Sequence, residues 1–213
     1  AYIIPHSDPH ISEYIPDYWK MREWASGFSG SAGTFVVTMD NAALWTDSRY
    51  FIQAEQQLQG SGIELCKIGL PETPDILSWI SMNLKKGAVI GFDGLVFSSN
   101  SARNYIDSFK KKGFSCNPNI DVVSKLWNDR PDLPCDKVFL HESDFAKISI
   151  SEKLGAIRKA LLVHDATAYL MCALDEICWT FNIRGSDISF NPVVLSYAIV
   201  DDDTATLFID RNK

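Results

Sequence analysis

In the stretch ALWTDSRYF (residues 43–51) an apolar strand runs into the first turn of a helix, and Arg49 sits in that turn. The free N–H groups there already make the helix end positive, so a cation is disfavoured by about a few tenths of a kcal/mol. A position that breaks a local rule without visible compensation often serves a site. The simpler reading is an ion pair with Asp47 or another acid nearby. The functional reading is a guanidinium that grips a carboxylate or a peptide carbonyl, for which arginine is the best-suited side chain.

A second set lies in ALDEICWTFNIRGSD, where Asp175, Glu176, Arg184 and Asp187 surround Trp179 and Phe181. Paired carboxylates can do acid–base work. They read more simply as first-turn acids that offset the helix dipole, with Arg184 and Asp187 fixing a turn as an ion pair. His6 and His10 are four residues apart, but Pro9 between them argues against a helix, and no further ligand joins them. They read as a solvated loop, and the isolated His141 and His164 read as surface residues. GFSGSAG (27–33) has the glycines of a phosphate loop but lacks the G-K-[ST] ending and is followed by a strand, so it reads as a tight glycine turn. For the same reason Ser31 is not a nucleophile on a strand-to-helix elbow.

The elements that carry these residues alternate. AYIIP is a strand, His6 to Trp24 is irregular or short-helical, and the runs 34–38 and 42–47 make a β-hairpin. Asp47 is a fair N-cap for a helix from Ser48 to Leu58, with Phe51, Ala54 and Leu58 on one stripe. GIELCKIG is a strand. PDILSWISMNL is a helix with Ile76, Leu77, Ile80 and Leu84 inward, AVIGFDG is a strand, and SSNSARNYIDSFKKKG is a helix ending in lysines and glycine. Pro131 and Pro134, with Asp129 and Asp132, form a stiff polar connection, which places a domain boundary between 1–130 and 131–213. The second part starts with a helix that carries a capping box, Ser149 to Glu152. A strand, a short helix and a hairpin (PVVLSYAIV and TATLFID) follow, and no covering helix comes after the last strand. The fold class is therefore α/β, each domain a mixed sheet flanked by helices and the second one cut short.

Hydrophobic residues make up 46% of the 213 and aromatics 12%, ample for packed cores. A net charge of −7 argues against a nucleic-acid partner, and no apolar run approaches the roughly 18 residues of a membrane span. Five cysteines without a C-x-x-C pair suit a reducing compartment, with Cys172 and Cys178 read as small core residues. With no basic, apolar leader at the start, this gives a cytoplasmic expectation.

Taken together, AYIIP…SEYIP…SGFSGSAGT, ALWTDSRYF, LWNDRP and ALDEICWTFNIRGSDISFNPVVLSYAIV…LFID closely resemble the three-domain Xaa-Pro aminopeptidases (aminopeptidase P) of the creatinase/prolidase superfamily. The family usually shows W-T-D-G-R-Y, and Ser48 stands here in place of that glycine. The resemblance implies two non-catalytic N-terminal α/β domains followed by a catalytic domain that holds two divalent metals, manganese or zinc, on two Asp, one His and two Glu. A metal-bridging hydroxide there attacks the bond before a penultimate proline. No such ligand set occurs in this chain, so no catalytic or metal-binding residue is expected in it and, alone, it should be inactive. By the same resemblance Arg49 touches the peptide substrate, Trp45, Asp47 and Tyr50 hold it in place, and the full-length protein is a homodimer. The alternative is a non-enzymatic, peptidase-like module that binds peptides or histones.

Overall fold

A computed structural model describes residues 1–213, apart from the side chain of Ser143. Its chain divides into two compact units, Ala1–Asp132 and Leu133–Lys213.

The first unit is built on a six-stranded mixed sheet. Its strands are β1 (Tyr2–Pro5), β2 (Thr34–Val37), β3 (Ala42–Thr46), β4 (Glu64–Lys67), β5 (Val89–Phe92) and β6 (Ser115–Asn117), in the order β4-β3-β2-β1-β5-β6. β1, β2 and β3 form an antiparallel meander, and β4, β5 and β6 add to it in parallel. Successive side chains of a strand face opposite ways. Thus Ile3, Val36 and Trp45 meet Trp79 and Ile80 of α3 (Ile76–Asn83) and Phe109 of α4 (Ser99–Lys111). Ile4, Phe35 and Leu44 meet Met21 of α1 (Met21–Ser26) and Ala54 of α2 (Phe51–Gln57) on the other face. Burying each such large apolar side chain stabilises the fold by about 1.5–3 kcal/mol. In α3 the most enclosed residues are Trp79 and Ile80, with Ile76, Leu77 and Leu84 packed at the margin of the cluster. The expected helix from Ser48 to Leu58 opens as a 3-10 turn, Ser48–Tyr50, because the Asp47 carbonyl accepts from the Tyr50 N–H at 3.0 Å, three residues on. A short α5 (Val123–Leu126) precedes the end of the unit, where the Arg130 guanidinium lies 3.6 Å from the centre of the Tyr18 ring and its Nε donates to the Tyr18 carbonyl at 2.8 Å.

The second unit contains a three-stranded antiparallel sheet, β11-β10-β8, from β8 (Ala168–Met171), β10 (Tyr197–Asp201) and β11 (Ala205–Phe208). β7 (Phe139–Leu140) pairs separately with β9 (Ile183–Arg184). These two-residue strands, like β6, escape pattern reading because they are shorter than any period can show. α6 (Ser143–Ala146) precedes α7 (Ile150–Val163), whose capping box is complete: the Ser149 side chain accepts from the Glu152 N–H, and the Glu152 carboxylate accepts from the Ser149 N–H. α8 (Leu174–Thr180) buries Ile177 against Met171, Ala198 and Val200.

Two sequence readings fail in this unit. Cys172 is exposed, not core, because strand alternation turns Met171 inward and the next residue outward. Cys135 is exposed as well, whereas Cys66 and Cys178 are buried. Arg184 does not pair with Asp187: its guanidinium donates to the carbonyls of Cys178 and Ile183 at 3.0 and 2.8 Å, drawn by the negative end of α8. Asp187 instead meets Lys213 and accepts from the Leu195 N–H at 2.6 Å. Among the described residues no helix is long and apolar enough to cross a membrane.

Candidate functional site

The end of β3 delivers Asp47 and Arg49 to the surface. Asp47 caps the 3-10 turn through its side chain, which accepts from the Arg49 N–H at 3.0 Å. The same carboxylate takes the Arg49 side chain as a fork: Nε donates to Oδ1 at 2.9 Å and Nη2 to Oδ2 at 2.8 Å. The two hydrogen bonds fix the plane of the guanidinium, which a lone charge contact does not. They hold the Asp47 carboxyl below the usual carboxylate range, and the carboxylate in turn raises Arg49. Nη1 makes no hydrogen bond among the described residues, and the side chain is 62% exposed. The ion pair therefore offsets the unfavourable position in the first turn and still leaves donors facing outward.

Tyr50 packs beneath. Its ring centre lies 5.3 Å from the Arg49 Cζ, and its hydroxyl is 2.6 Å from the Ser31 Oγ. Trp45 is placed differently. It is buried, meets Trp79 edge-on at 5.5 Å and donates from Nε1 to the Pro74 carbonyl at 2.8 Å. It thus anchors β3 on the α3 face, beside a cleft of about 650 Å³ that Arg49 does not line. The structure brings Arg49, Asp47 and Tyr50 together, and Trp45 stands in the core behind them.

The glycine turn lies against this site. Gly27 ends α1 with φ +74, a left-handed value that glycine adopts without strain. Gly30 has no room for a side chain: a Cβ there would come 2.3 Å from Phe28 Cζ and 2.7 Å from Tyr50 Cδ1. The loop is tied to α2 as well, since Ser29 Oγ accepts from Gln53 and Gln57 at 3.0 and 2.8 Å. Thr46 Oγ1 donates to the Ala32 carbonyl at 2.7 Å.

Sequence reading missed the residue behind that loop. Arg22 is only 1% exposed, yet no carboxylate pairs with it among the described residues. Its Nη2 donates to the Gly30 carbonyl and faces His6 Nδ1 at 3.0 Å, and its Cζ lies 4.7 Å from the Phe28 ring centre. Nε and Nη1 have no hydrogen-bond partner. Burial pushes its pKa down to about 10, so it remains a cation at neutral pH. His6 is not a solvated loop residue. Burial, and then the Arg22 charge, push it down to about 4. Its Nε2, 3.3 Å from the Glu13 carbonyl, carries the proton in the neutral tautomer that lets Nδ1 accept from Arg22. Nothing in MREWASGF marks Arg22 as buried; only the nearby glycines hint that the loop is tightly packed.

No three His, Cys, Asp or Glu side chains among the described residues gather where they could hold a metal ion.

Comparison with known proteins bears on the whole chain. Two models of the creatinase/prolidase N-terminal domain match, over residues 6–123 and 129–213. The chain is 41% identical to a protein named aminopeptidase P2 from Arabidopsis thaliana, over all of its own length and 30% of that protein's. It is 43% identical to a probable Xaa-Pro aminopeptidase P from Sordaria macrospora, covering 35% of it. A crystal structure of X-prolyl aminopeptidase from Caenorhabditis elegans, described as a cytosolic enzyme with a di-nuclear active site, matches with a TM-score of 0.92 and 35% identity, across all of this chain and 35% of that one. The chain thus spans about a third of the length of these relatives.

Proposed function

Because the chain belongs to the creatinase/prolidase N-terminal domain family, we propose that it is the non-catalytic N-terminal part of a metal-dependent aminopeptidase that releases the first residue from peptides with proline in second position. Its relatives over the whole chain carry the names of such enzymes, which supports the reaction class. In this reading the chain shapes access of the peptide and supports a homodimer, and the two divalent ions, manganese or zinc, are held outside these residues. A cytosolic setting follows the C. elegans neighbour.

The observation that carries the substrate role is the Arg49 fork. Asp47 engages one edge of the guanidinium through Nε and Nη2, and the side chain, 62% exposed, keeps Nη1 out of that pair. A peptide carbonyl or carboxylate can accept from Nη1 without disturbing that pair, and the guanidinium arrives already oriented. In the full-length protein, Arg49→Ala is expected to lower kcat/KM for an Xaa-Pro peptide by about tenfold, the loss of one charge-assisted hydrogen bond, with Tm unchanged. A variant that keeps wild-type kinetics overturns the role of Arg49, and one that unfolds returns it to structure. Turnover of Xaa-Pro peptides by the purified 213-residue chain with added Mn²⁺ would reject the non-catalytic assignment.

The acidic balance, −7, favours one second reading: a non-enzymatic module that binds basic peptides such as histone tails. Binding of such a peptide, with no Xaa-Pro hydrolysis by the full-length protein, would put this reading first.

A further inference from the structure

Arg22 and Arg49 stand at the two ends of one stack. The buried Arg22 lies over Phe28 at 4.7 Å, and Phe28 meets Tyr50 edge-on, with ring centres 6.0 Å apart and an angle of 81°. Tyr50 in turn lies 5.3 Å from the exposed Arg49. Gly30 is clamped inside this stack, its carbonyl held by Arg22 Nη2 and its α-carbon pressed between the Phe28 and Tyr50 rings.

We propose that Arg22 is a positioning residue for Arg49, acting from the interior through Phe28, Gly30 and Tyr50. The effect on peptide binding rests on the reading that Arg49 meets the substrate; the mechanical coupling does not. A cation sealed from water without a carboxylate is costly, and an apolar side chain would fill the same space at less cost. What the charge adds is direction. It has a carbonyl, an imidazole and an aromatic face as its partners and no carboxylate to turn to. Any outward shift of the loop around Gly30 would take away the one carbonyl that the guanidinium donates to, so the loop is pinned. The pinned loop then fixes Tyr50 from two sides, by the close approach of Gly30 and by the Ser31 hydroxyl. A held Tyr50 ring leaves the Arg49 guanidinium one surface to lie on, while Asp47 fixes its edge.

The test uses the full-length protein with arginine-selective ¹⁵N labelling, the Arg49 Nε–H resonance being identified by its loss in Arg49→Ala. Arg22→Met is expected to shift or broaden that resonance. It should raise KM for an Xaa-Pro peptide by about threefold with kcat held, an effect that does not add to that of Arg49→Ala. Arg22→Lys, which keeps the charge, should recover part of both changes. Should Arg22→Met fail to fold, Arg22→Gln takes its place: it removes the charge but keeps a side-chain amide donor in the buried site, and the same two readouts apply. A folded variant in which the Arg49 resonance stays in place overturns the proposal, even where Arg49→Ala itself raises KM. If the resonance moves while neither Arg22→Met nor Arg49→Ala changes KM, the coupling stands and it is the peptide role of Arg49 that falls.

Discussion

In the first unit the buried Arg22 has a carbonyl, an imidazole and an aromatic face around it, whereas in the second Lys213 lies directly against Asp187, the two side chains only 3% and 1% exposed. Arg22 and Lys213 are compensated by different means, although the second unit also holds Lys153, 2% exposed, in the manner of Arg22, on the Trp179 carbonyl, the Asn182 side chain and the Trp179 ring. Lys213 has its countercharge, so its burial depends on one carboxylate. Arg22 is held by dipoles and a ring quadrupole, spread over several groups, each of which contributes less. The paired arrangement concentrates stability in one bond, and the unpaired one distributes it over the loop that borders the candidate site.

The largest effect that would break this contrast is at the pair. Asp187→Ala leaves Lys213 buried and uncompensated, and should destabilise the second unit by about 3–5 kcal/mol. Hydrogen exchange of the amides of β8, β10 and β11 reports the opening of that unit separately from the first. A loss below about 1 kcal/mol would mean that the pair does not hold the unit together.

A smaller effect sharpens the contrast on the other side. His6 faces the charges of Arg22, Lys20 and Asp8, and takes up its proton near 6.5 in an unfolded chain but only near 4 in the folded unit. Its contribution to stability is therefore full above 6.5 and is lost as pH falls toward 4, since unfolding then binds the extra proton. Unfolding measured at pH 7 and pH 5 should show a drop that His6→Gln reduces. An unchanged pH dependence in that variant would remove His6 from the Arg22 cluster.

The smallest effect is at the surface pair. Asp47→Asn keeps a good N-cap and loses only one edge of the fork, so Tm should not change measurably by calorimetry. A clear fall in Tm would show that the exposed pair belongs to the framework rather than to the site.

The parts of this molecule that were legible in the sequence are those with local causes. The hairpin of β2 and β3 follows from alternation and a turn, and the capping box of α7 follows from Ser149 and Glu152 three residues apart. Arg49 was legible as an oddity, and the sequence framed its ion pair and its ligand role as rivals, but a forked pair that leaves Nη1 out accommodates both. What stayed hidden depends on distant residues. Asp187 finds its partner 26 residues away at Lys213, not three residues away at Arg184. Arg22 sits in a six-residue helix whose sequence looks like any exposed turn, and its burial is decided by Phe28, Gly30 and His6 folding over it.

The place of β1 in its sheet has a consequence for time as well as for shape. This first strand lies between β2 and β5, and its parallel partner β5 is made almost ninety residues later. During synthesis β1 can zip to β2 early, but its other edge must stay open until β5 has left the ribosome, so closure of this sheet waits on a slow, long-range encounter. The sheet of β8, β10 and β11 waits less, because β10 follows β8 after α8 and β9 only, and β11 follows β10 directly.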